Sequence, residues 1–170
     1  FEQAIRNGTC AELLNKIPVK PGECHFLPAG TVHAIGAGLL IAEIQTPSDT
    51  TYRVFDWNRL QNGKPRQLHI EQALESIHFN QNLNDLLVKS EGRLVDCEYF
   101  KVDKIVGRAN SSITVESGIM KVIVIIKGSG QIISSDQAVD FAKGQTILLP
   151  ADYKGKINFI TDTEYLQTII

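Results

Sequence analysis

The sequence predicts an all-β protein with a few short helices, and three observations carry that reading. From Arg93 onward strand-like runs follow one another, LVDCEYFKVDKIV, SSITVE, MKVIVIIKG, GQIIS, QTILLP, KINFIT and EYLQTII, with turn residues between them at close intervals. This is the pattern of a sandwich or barrel of antiparallel strands. Residues 19–57 add HFL, GLLIAEIQ and TTYRVFDW, divided by Pro-Ala-Gly, Gly-Ala-Gly and Pro-Ser-Asp, breakers that end strands. Finally, one hairpin unit occurs twice: G-x5-P-A-G-x2-H runs from Gly22 to His33, and G-x5-P-A-D from Gly144 to Asp152. The two frames align through the proline and alanine, and where the first has His33 the second has Gly155.

Taken in order, residues 1–18 form a helical segment. Gly8 suits a helix C-terminus, and Thr9 with Glu12 makes a T-x-x-E capping box ahead of Leu13 and Leu14, so two short helices are expected. Residues 19–60 are a β region. Residues 61–92 are a polar connection, with NGKP at 62–65, a short helix in HIEQALESI and the Asn-rich NQNLNDLL. Residues 93–170 are all β.

A chain of 170 residues with 43% hydrophobic content can build a real core. Seventeen basic and nineteen acidic residues give a formal charge of −2, without a block of like charge or a basic stripe interleaved with aromatics. That excludes nucleic acid as an expected partner. Apolar runs such as VIVII at 122–126 are far shorter than a membrane helix. The opening FEQAIRNGTCAELL has no cationic stretch or cleavage site, so no signal peptide is expected there. A chain that opens inside a helical pattern is expected to be a fragment of something longer. Cys10, Cys24 and Cys97 are odd in number and lack CxxC spacing, which argues against a disulfide framework and for a reducing cytoplasm.

The frame from Gly22 to His33 resembles the second conserved motif of cupins, small jelly-roll barrels, with Ala37 in place of the motif's final Asn. Residues 29–59, AGTVHAIGAGLLIAEIQTPSDTTYRVFDWNR, closely resemble a segment of type I mannose-6-phosphate isomerases of the short bacterial form. PRQLHIEQAL at 65–74 and the GSG and LLPA turns extend the likeness over nearly the whole chain. The resemblance implies that 19–60 are the C-terminal strands of a catalytic cupin barrel, present in part. It implies further that 93–170 are a complete second barrel that has lost its ligands.

It also implies a site. The histidine of the AGTxHA segment is a zinc ligand in that family and corresponds to His33; the arginine of S-D-x-x-x-R belongs to the active site and corresponds to Arg53. The glutamate of the AEIQ stretch lines the substrate pocket and corresponds to Glu43. The other ligands of the single zinc, a Q-x-H or H-x-H pair and a glutamate, are expected from a segment before position 1. The chain is thus expected to be the C-terminal part of an enzyme interconverting mannose 6-phosphate and fructose 6-phosphate, inactive as this fragment alone. Arg59 is the weaker candidate for charge beside the substrate's phosphate, whereas Lys64 and Arg66 read as solvated loop residues. His25, His69 and His78 read as structural, with His69 capping a helix. Glu43 and Arg53 also fit a simple cross-strand ion pair. A non-catalytic cupin module binding a sugar or a protein partner is the alternative function.

Overall fold

The computed structural model describes every residue except Asn58, residues 81–85 and Lys89. It divides into two compact units, one of Phe1–Pro21 with His25–Leu86 and the other of Gly22–Cys24 with Leu87–Ile170. In chain order the first elements are α1 (Glu2–Arg6), a 3-10 turn (Cys10–Leu13), β1 (Cys24–His25), β2 (Leu60–Gln61), β3 (Lys64–Pro65), α2 (Ile70–Ser76) and β4 (Leu87–Val88). Then follow β5 (Gly92–Asp96), β6 (Lys101–Gly107), β7 (Ser111–Val115), β8 (Lys121–Lys127), β9 (Ser129–Ile133), β10 (Ala138–Ala142), β11 (Thr146–Leu149), β12 (Gly155–Phe159) and β13 (Thr163–Ile169).

The second unit is a double-sheet jelly roll. One sheet has the order β10-β9-β12-β7 and the other β11-β8-β13-β6-β5, and all of these pairings are antiparallel. Consecutive strands therefore alternate between sheets except at the β9–β10 hairpin and the β5–β6 pair. This two-layer arrangement is the one cupins use. Its strands are rich in β-branched residues, and alternate side chains point inward. Ile123 and Ile125 from β8, Ile157 and Phe159 from β12 and Tyr165 from β13 meet in one core with Phe141 and Leu149. Each fully buried aliphatic or aromatic side chain contributes about 1.5–3 kcal/mol.

The first unit differs from the sequence reading in instructive ways. HFL, GLLIAEIQ and TTYRVFDW are expected as strands; of these only His25 lies in a strand, β1, and the described residues of 26–59 join no strand ladder. The runs have strand composition without a neighbouring strand to receive their backbone groups. Leu40 is accordingly 94% exposed, and Ile35, Leu39 and Ile41 are exposed with it. Of the two helices expected in 1–18, the first is α1, and Gly8 after it takes φ +73°. The second is only a 3-10 turn. Thr9 makes no side-chain cap there, and its hydroxyl instead reaches the Ala4 carbonyl at 3.5 Å, so the capping box is not formed.

The NGKP stretch is a hairpin. Asn62 and Gly63 take φ 54° and 75° between β2 and β3, the paired positive angles that a two-residue hairpin turn requires. Most of the expected Asn-rich connection, residues 81–85, lies outside the described residues.

Candidate functional site

The repeated hairpin unit places His33. Gly22 launches the first copy at φ 91°, and the Thr31 N–H donates to the Pro28 carbonyl at 3.1 Å, closing the turn after Pro-Ala-Gly. His33 follows directly and is exposed. Its Nδ1 lies 2.9 Å from the Thr31 carbonyl oxygen. A carbonyl only accepts, so Nδ1 is the donor, and in the neutral tautomer that this bond favours Nε2 is the acceptor nitrogen. Metal-binding histidines are commonly fixed by such a backbone hydrogen bond at the other ring nitrogen.

The second copy builds the same turn, with the Tyr153 N–H donating to the Pro150 carbonyl at 3.0 Å. The position equivalent to His33 is closed, however. A Cβ on Gly155 would collide with the Ile133 carbonyl oxygen and the Tyr153 hydroxyl. That hydroxyl donates to the Ile133 carbonyl at 2.9 Å, and burial pushes its pKa up. All four histidines of the chain precede residue 93.

Arg53 is half-buried and tied to the start of α2. Its backbone N–H donates to His69 Nδ1 at 3.3 Å, and its carbonyl accepts the His69 N–H at 2.8 Å. His69 precedes α2 without capping it through the side chain: the ring nitrogen that a cap needs serves Arg53 instead. The Arg53 guanidinium donates to the Gln67 carbonyl at 3.3 Å. Glu43 is exposed, and among the described residues no ion pair joins it to Arg53.

Arg59 is held by Asp56, which is only 7% exposed. Its Nη2 lies 2.6 Å from Asp56 Oδ1 and its Nε 3.3 Å from the Asp56 carbonyl. The guanidinium also lies over the Trp57 ring, 5.3 Å from the centroid, a favourable cation–π placement. Arg66 reaches the same Asp56 oxygen at 3.5 Å. Asp56 is thus the residue that sequence reasoning passed over, and Arg66, read there as a solvated loop residue, is half-buried and turned to Asp56. The DWNR spacing, an aspartate three residues before an arginine, was the available signal for the first.

His33 has the donor chemistry of a zinc ligand, with its Nδ1 occupied by the Thr31 carbonyl. Among the described residues no group of three or more His, Cys, Asp or Glu side chains converges to hold a metal ion. One imidazole does not hold a catalytic zinc, which takes three protein ligands.

No family model matches the chain. Mannose-6-phosphate isomerase ManA of Bacillus subtilis is 37% identical over 157 residues, covering 86% of this chain and 49% of its own length. Mannose-6-phosphate isomerase of Streptococcus mutans is 34% identical over 162 residues, 91% of this chain and 51% of its own. This chain belongs to the mannose-6-phosphate isomerase family. It spans about half the length of the curated relatives it matches. The crystal structure of the Bacillus subtilis mannose 6-phosphate isomerase superposes with a TM-score of 0.60 at 27% identity, over 72% of this chain and 41% of that one. Membership in this isomerase family agrees with the resemblance read from residues 29–59 and 65–74, and the jelly roll of 92–170 is the cupin fold that the resemblance implied.

Among the described residues no helix is long and apolar enough to cross a membrane. Cys10, Cys24 and Cys97 are all free thiols, and burial pushes the Cys10 and Cys24 thiols up in pKa.

Proposed function

We propose that the chain is the C-terminal part of a zinc-dependent isomerase that interconverts mannose 6-phosphate and fructose 6-phosphate. The match to proteins named mannose-6-phosphate isomerase over 91% of the chain carries this reading. The Thr31 hydrogen bond of His33 supports it, because it leaves Nε2 as the acceptor nitrogen of the neutral ring. His33 supplies one ligand, and polypeptide outside these residues supplies the rest; the fragment alone is therefore metal-poor and inactive. Three free thiols suit a cytoplasmic setting.

The reaction moves a proton between C1 and C2 of the sugar, and negative charge grows on the carbonyl oxygen. Zinc, when bound, supplies Lewis-acid polarisation of that oxygen. Arg53 supplies fixed positive charge, with donors left over beyond its bond to Gln67. Glu43 orients a hydroxyl or moves the proton. Arg59 faces the substrate's phosphate.

For residues 93–170 we propose the alternative, non-catalytic role of a module that binds a sugar or a protein partner. The closure of the His33-equivalent position by Tyr153 favours it. The test is an isomerase assay with added zinc, run on this chain and on the chain extended to the length of its relatives. Activity confined to the extended protein is expected. A zinc-loaded extended protein without activity overturns the reading.

A further inference from the structure

Arg53 belongs to a stretch whose described residues join no strand ladder, so individual contacts set its place. Both of its backbone polar groups go to one residue: the N–H donates to His69 Nδ1 at 3.3 Å, and the carbonyl accepts the His69 N–H at 2.8 Å. A backbone N–H only donates, so Nδ1 is the acceptor nitrogen of the His69 ring. The guanidinium donates to the carbonyl of Gln67 at 3.3 Å, two residues before His69. The Tyr52 ring lies tilted against the His69 ring, with centroids 6.2 Å apart.

His69 is itself held firmly. Its carbonyl accepts the Ala73 N–H at 3.0 Å in the first turn of α2, and Ala73 is buried. Past the other end of α2 the His78 N–H donates to the Gly30 carbonyl at 3.1 Å, and a Cβ on Gly30, at φ +82°, would meet the Ser76 carbonyl oxygen. The helix is thus fastened at both ends within the first unit. A polar residue just before a helix ordinarily turns its side chain to the free N–H groups of the first turn. The His69 ring makes no such bond and serves Arg53 instead.

We propose that His69 is a positioning residue for Arg53: its ring nitrogen fixes the backbone from which the guanidinium projects, so the positive charge is in place before the reaction needs it. The proposal rests on the isomerase reading for what Arg53 does; the hold of His69 on Arg53 stands on geometry alone.

The experiment compares His69→Asn with His69→Ser. Both residues cap helices well, but the Asn oxygen stands as many bonds from the backbone as Nδ1, whereas the Ser oxygen stops one bond short. In this chain, amide hydrogen exchange followed by NMR reads the Arg53 N–H directly. Exchange is expected to quicken about tenfold or more in His69→Ser and to stay slow in His69→Asn. In the extended protein, kcat is expected to fall about tenfold or more in His69→Ser and to be largely restored in His69→Asn, with KM and bound zinc unchanged in both. A role confined to holding α2 would leave the two variants alike. Arg53 exchange indifferent to the substitution, or equal turnover in the two variants, overturns the proposal and leaves the isomerase reading intact. An extended protein without activity overturns the isomerase reading, and the exchange comparison then still decides whether His69 fixes Arg53.

Discussion

Gly22 and Gly144 adopt the same left-handed backbone conformation, φ 91° and 90°, each six residues ahead of a proline whose carbonyl closes a turn. The two copies of the hairpin unit thus share backbone geometry as well as sequence. Open space surrounds both glycines, so only the dihedral angle resists a side chain. Gly144→Ala is expected to cost about 1–2 kcal/mol in urea denaturation. Gly155→Ala, whose Cβ meets the Ile133 carbonyl and the Tyr153 ring, is expected to cost more, about 2–3 kcal/mol. Equal losses at the two positions would refute the account of a closed ligand position.

In the extended protein, His33→Ala and Arg53→Ala are expected to fail differently. The first lowers the bound zinc measured by atomic absorption. The second leaves zinc near its normal level while turnover falls by about 100-fold or more. Zinc lost from the Arg53 variant would show that this arginine supports the metal site and not the reacting oxygen.

Tyr165 is fully buried in the second unit, its ring stacked on Phe159 at 6.2 Å, and its hydroxyl has no partner among the described residues. Burial raises its pKa from 10.0 to about 12. A raised folded-state pKa gives stability that is complete below the unfolded value and lost as pH climbs through the folded one. Alkaline destabilisation should therefore set in above about pH 10 and be complete near pH 12. Tyr165→Phe should remove this tyrosine's share of that alkaline slope. At pH 7 it should be neutral or stabilising by about 1 kcal/mol, because it deletes an unsatisfied group. Clear destabilisation of the variant at pH 7 would reveal a partner for the hydroxyl.

Glu164 behaves in the opposite sense. Its hydrogen bond to Lys104 at 3.0 Å, helped by Lys127 at 3.7 Å, holds the carboxyl below the usual carboxylate range. The stabilisation is complete above the unfolded-state pKa and lost as pH falls through the lowered folded one. At partial exposure it amounts to less than about 1 kcal/mol. Glu164→Gln should flatten the acid limb of a stability-against-pH curve without moving the alkaline limb.

The jelly roll of 92–170 was legible because its strands alternate and its turns carry Gly, Asn and Asp, so local composition and global pairing agree. The stretch 26–59 was legible as strand-forming but not as unpaired, since composition records what a segment can pair with and not whether a neighbour is there. The capping box at Thr9 and the cap at His69 failed for another reason: each side chain found a competing partner, Ala4 and Arg53, that only the folded chain brings near. His33 could be singled out because Gly, Pro and Gly at fixed spacing announce a particular turn. Arg66 could not, because its proximity to Asp56 depends on the β2–β3 hairpin returning the chain.

β13 lies between β6 and β8 in the five-stranded sheet, although it comes last in the order of elements. Without β13, the β5-β6 and β11-β8 pairs share no ladder, so the five-stranded sheet becomes continuous only when residues 163–169 dock. An exposed β6 or β8 edge is the kind that strands of other chains can join.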